Sequence, residues 1–126
     1  MALDEDLVDR VRRSLVQIEG VDERKVLGGL GFLVDGNVAC SVVGDDLVVR
    51  VGPDEVDHVV ERAGVERFEV NGQVMPGFVV VTAEHVDDLH TTAAWVKRGL
   101  MFASTLTPKE TGAVPKTATR SRRTRG

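Results

Sequence analysis

The sequence predicts a two-layer α+β protein, an antiparallel five-stranded sheet with helices on one face in the order αβββαββα. Apolar residues recur at helical spacing at the start of the chain and again before residue 106. Between them lie short valine-rich runs, and valine favours strands. Turn dipeptides, Asp35-Gly36 foremost, separate those runs as hairpin turns do.

Leu7, Val8, Val11, Leu15 and Ile18 place one apolar stripe on a first helix spanning Leu3 to Glu19. Asp4, Glu5 and Asp6 suit its positive end, and Gly20 stands where a cap would close it. The glycine-rich run Lys25 to Phe32 reads as a loop approaching a strand. Strands are then expected over Phe32–Val34, Asn37–Val43 and Leu47–Val51, as a meander. Pro53 and Asp54 open a short second helix, with Val56, Val59, Val60 and Ala63 on its apolar face and Gly64 as its stop.

A fourth strand runs from Glu66 to Val70 and a fifth from about Gly77 to Thr82. Val79-Val80-Val81 is apolar on both faces, as in an interior strand. The last helix starts near Asp87 or Asp88 and ends near Leu106. Gly99 inside it costs about 1 kcal/mol relative to alanine, which implies close packing against another backbone. Residues 1–106 therefore form one α+β domain, and 107–126 a basic disordered tail.

With 42% hydrophobic and 29% charged residues, the composition is that of a water-soluble globule. No apolar run approaches the roughly 20 residues that span a bilayer, and the acidic N-terminus lacks the form of a secretory signal. The single cysteine, Cys40, cannot form an internal disulfide. A cytoplasmic location follows as the expectation.

Charge is uneven along the chain. From Lys109 onward, Lys109, Lys116, Arg120, Arg122, Arg123 and Arg125 stand against Glu110 alone, so the preceding body is more acidic than the overall charge of −4. Positive charge on a folded surface is what a groove-reading DNA-binding domain needs, and this body lacks it. Lys116, Arg120, Arg122, Arg123 and Arg125 form instead a candidate electrostatic, non-specific nucleic-acid arm; without aromatic residues it cannot stack on bases.

Catalytic signatures are weak. Gly28-Gly29-Leu30-Gly31 has neither the GxGxxG spacing nor a following Lys-Ser or Lys-Thr, and it leads into a strand rather than a helix. His58, His85 and His90 are not at the spacing that puts two ligands on one helix face. Cys40 has no histidine near it in sequence, and Ser14, Ser41 and Ser104 lie outside any nucleophile elbow. The expectation is no catalytic residue, no metal and no cofactor.

The segments Lys25-Val26-Leu27-Gly28-Gly29-Leu30-Gly31-Phe32, Asp35 to Cys40, Asp46 to Pro53, Val74 to Val81 and Leu89 to Val96 together resemble the TfoX N-terminal domain family over about residues 5–106. The resemblance implies a secretion-chaperone-like α+β fold. Family members fused to a C-terminal helical domain regulate natural competence with the cyclic-AMP receptor protein at promoters. The 20 residues after Leu106 are not expected to form such a domain, so the regulatory role is expected to transfer only in outline. The family supplies no catalytic residues.

The resulting expectation is a non-enzymatic protein-interaction module, regulatory in type, that contacts a protein partner, with transcription machinery among the candidates. Lys25, Leu27, Gly28, Gly29, Leu30 and Gly31 are the candidate partner-binding residues. The alternative is a nucleic-acid-associated protein that uses its tail. A homodimer through a hairpin edge strand is also open.

Overall fold

In a computed structural model describing residues 3–108, the chain folds as α1 (Glu5–Ser14), β1 (Val21–Val26), β2 (Gly29–Val34), β3 (Asn37–Val43), β4 (Asp46–Arg50), α2 (Val56–Val59), β5 (Val65–Val70), β6 (Gln73–Val81) and α3 (Leu89–Ser104), with a single 3₁₀ turn at Ala83–His85 before α3. The strands form one antiparallel sheet of six, in the order β1-β2-β3-β4-β6-β5. The α+β class stands. The expected five strands and the order αβββαββα do not, because a sixth strand, β1, precedes the meander.

β1 escapes sequence pattern for a physical reason. Its sequence Val-Asp-Glu-Arg-Lys-Val places four consecutive charged residues in solvent between two valines, so neither face alternates as a half-buried strand does. The turn that joins it to β2 is also disguised. Leu27 and Gly28 have φ of 55° and 81°, matching Asp35 and Gly36 at 52° and 82°. Two successive positive φ values define a type I′ hairpin turn, and leucine is not a residue from which such a turn is read. The run Lys25 to Gly31 is therefore the tip of a hairpin and not a loop.

α1 and α3 lie side by side against the sheet, and all three helices bury their apolar residues on one face. Asp4 caps α1 by accepting from the Asp6 and Leu7 amides, and Asp88 caps α3 through the Thr91 amide at 2.7 Å. The core between the layers holds Leu7, Val11 and Leu15 of the α1 region, Phe32, Val42, Leu47, Val49, Val79 and Val81 of the sheet, and Trp95 and Val96 of α3. β6 is interior, lying between β4 and β5, as its run of valines requires.

Gly99 sits where α3 crosses β3. A Cβ there would overlap the Ala39 carbonyl oxygen, so the glycine lets helix and strand approach. α1 is shorter than its apolar stripe, ending at Ser14 with Leu15 as its cap residue. α2 is likewise reduced to Val56–Val59. The Asn37 side-chain amide donates to the Thr107 carbonyl at 2.9 Å, pinning the chain beyond α3 to the β2–β3 turn.

Candidate functional site

The sheet has a second face, to which no helix contributes its buried core. Strand alternation sends Val48 of β4, Phe78 of β6 and Phe68 of β5 to that side, where they form a separate buried cluster. Leu27, Val38, Val43, Met75 and Val80 pack around it and are only partly buried. Phe68 and Phe78 meet in a tilted pair with centroids 6.5 Å apart. A patch of this kind marks an interaction surface more often than a scatter of single apolar residues does.

The candidate residues Lys25, Leu27, Gly28, Gly29, Leu30 and Gly31 form the hairpin tip, and Leu27 alone of them joins this patch. A Cβ on Gly29 would overlap the Val42 carbonyl oxygen, and one on Gly31 would overlap the Val26 side chain. Gly29 lets the tip lie close against β3, where the Ser41 hydroxyl donates to the Val26 carbonyl at 3.2 Å, and Gly31 makes room for the Val26 side chain of β1. Gly28 supplies the positive φ of the turn. The glycines shape the tip, and the side chains beside them divide. Leu27 joins the helix-free cluster, whereas Leu30 packs against the main core on the opposite side.

Lys25, Val26, Leu27, Gly28, Gly29 and Leu30 also line, with Leu3, an open depression of about 470 Å³ at the tip. Lys25 is exposed and Gly31 is buried and outside the depression. The expected set is thus brought together, with Leu27 as its link to the helix-free face.

Arg50 was not singled out from sequence. It is the last residue of β4 and the cross-strand partner of Phe78, and from the end of the strand its side chain spans from the helix-free face to Phe102 of α3. Its guanidinium stands 5.2 Å from the Phe78 ring centroid and 5.8 Å from that of Phe102. Burial pulls it below the ordinary arginine value. Among the described residues no carboxylate forms an ion pair with it. A lone arginine in a valine strand gives no sequence signal; the sheet register sets Phe78 beside it, and the packing of α3 sets Phe102 there.

The remaining chemical groups are separated. Cys40 is fully buried, and burial pushes its thiol up to about 12. His85 lies over Gly64, and its Nε2 is 4.0 Å from Glu84. Among the described residues no three His, Cys, Asp or Glu side chains gather as metal ligands would. No helix among them is long and apolar enough to cross a membrane. The tail candidates Lys116, Arg120, Arg122, Arg123 and Arg125 lie outside the described residues.

A two-layer α+β domain with a hairpin tip folded onto an apolar sheet face is the class that fold and site define. Comparison with protein families matches residues 13–103 to the TfoX N-terminal domain. The chain belongs to the TfoX N-terminal domain family, a family of competence and regulatory-type modules. No curated protein and no solved structure matches it.

Proposed function

We propose that the chain is a non-enzymatic protein-interaction module that works in the cytoplasm by holding a regulatory partner against the helix-free face of its sheet. The observation that carries this reading is the gathering of Leu27, Val38, Val43, Met75 and Val80, all partly exposed, around a buried aromatic centre. Such an arrangement supplies apolar contact area around a rigid anchor, as interface centres do. Arg50, half-buried on two rings and without a carboxylate, adds a direction. The partner that fits presents apolar side chains and one carboxylate.

Photo-crosslinking from this face tests the reading, with a position on the helix layer as control. Crosslinks to one protein from the sheet face alone support it. The same products from both layers count against it.

A second reading rests on the basic residues Lys116, Arg120, Arg122, Arg123 and Arg125, whose charge suits phosphate backbones. In that case the tail supplies non-specific nucleic-acid affinity, and the folded body keeps its protein contact.

A further inference from the structure

Strand β1 ends the sheet on one side and carries its own charges in an unusual order. Val26 and Gly29 flank a two-residue turn and form a hydrogen-bonded pair, so the alternation of an antiparallel ladder directs the N–H and C=O groups of Asp22, Arg24 and Val26 toward β2. Those of Val21, Glu23 and Lys25 point outward, unpaired among the described residues. Charges on an edge ordinarily keep other strands away. Here the sequence Asp22-Glu23-Arg24-Lys25 runs from negative to positive, so an antiparallel copy of the same strand meets it with opposite signs.

We propose that β1 pairs with β1 of a second copy of this chain about a two-fold axis passing at Glu23, joining two sheets into one. A two-fold axis perpendicular to a continuous antiparallel sheet keeps both helix layers on the same side and sets one residue opposite its own counterpart. With Glu23 at the axis, Asp22 faces Arg24 of the partner subunit and Arg24 faces Asp22 of the partner subunit. These are non-hydrogen-bonded positions, where side chains approach most closely. Val21, Glu23 and Lys25 all engage their outward backbone groups in this register.

The meeting of Glu23 with Glu23 of the partner subunit is relieved within each copy. Arg12 of α1 donates to both Glu23 oxygens, at 2.9 and 2.8 Å. The neighbouring register, centred on Arg24, is poorer. It exchanges the Asp22–Arg24 pairs for Glu23–Lys25 pairs, but it sets two guanidinium groups opposite each other and needs Leu27 to continue a ladder from which its positive φ removes it.

Apolar surface lies beside the same edge. Val16 is 79% exposed and Ile18 39% exposed in the connection that enters β1. Ile18 borders a depression with Arg12, Leu15, Val21, Glu23 and Phe32 on the helix side. Two copies joined at Glu23 bring these depressions next to each other, so that paired strands and apolar flanks are covered together.

Sedimentation equilibrium of the full chain tests the proposal through a charge swap. The wild-type protein is expected to be a dimer at micromolar concentration, and Asp22→Lys, which sets lysine against Arg24 of the partner subunit, is expected to be a monomer. The double variant D22K/R24D restores opposite signs and is expected to restore the dimer. A monomeric wild type, an Asp22→Lys dimer, or a double variant that stays monomeric overturns the pairing. Oxidation reads the register, because buried Cys40 does not compete. D22C/R24C is expected to crosslink between subunits and Arg24→Cys alone is not; a crosslink through Arg24→Cys alone overturns the Glu23-centred register.

Discussion

At the scale of single residues, two side chains show how chemistry and packing are kept apart. Leu27 holds a left-handed backbone that costs a leucine roughly 1–2 kcal/mol, and it keeps that conformation while its side chain rests on the Val48, Phe68 and Phe78 cluster. Cys40 has the opposite setting, fully buried with its thiol at about 12 against an ordinary value near 9. The unfolded chain releases the Cys40 proton near pH 9, whereas the folded chain holds it to about 12. Between those values the unfolded state binds fewer protons, so stability falls as pH rises, by about 1.4 kcal/mol per pH unit. Urea unfolding followed across that window should show the decline in the wild type and a shallower one in Cys40→Ala. Equal slopes would show that Cys40 is not protonated and buried as described.

At the scale of elements, the β1–β2 hairpin depends on close backbone approach. Gly29→Ala drives a Cβ into the Val42 carbonyl oxygen, which belongs to the sheet and cannot move aside. The expected cost is about 1–3 kcal/mol, read as a lower urea midpoint, with Ser41 losing its bond to the Val26 carbonyl. A midpoint like that of the wild type would mean that the tip is not folded against β3. The same hairpin marks the limit of what sequence shows. Asp35-Gly36, the valine run of β6, the Asp88 cap and the close packing at Gly99 are all legible, because each is a local pattern with a local cause. β1 is not legible, since its strand state comes from pairing with β2 and not from alternation of its own. The candidate set Lys25 to Gly31 was legible as a place. Its division between Leu27 on one face and Leu30 on the other is a product of register.

At the scale of the whole molecule, the helix layer and the sheet face have different work. The helices close the core. The other side of the sheet is left with an apolar patch and, at its margins, a hairpin tip and Arg50, which pairs with no carboxylate among the described residues. Asn37 holds Thr107 at the β2–β3 turn, and the basic residues that follow Pro108 in sequence lie outside the described residues. If they hold phosphates, full-length protein should be retained on heparin at low salt and a chain ending at Pro108 should pass through. Equal retention of both would assign the affinity to the body.

The most direct measurement for the central claim is a crosslink map of the two layers. A photoreactive residue is placed at Val43 or Val80 on the helix-free face, and in a third protein at Met101, which is 62% exposed on α3. The account predicts that Val43 and Val80 capture the same partner in native lysate while Met101 does not. Capture of that partner from Met101 and not from Val43 or Val80 would contradict it.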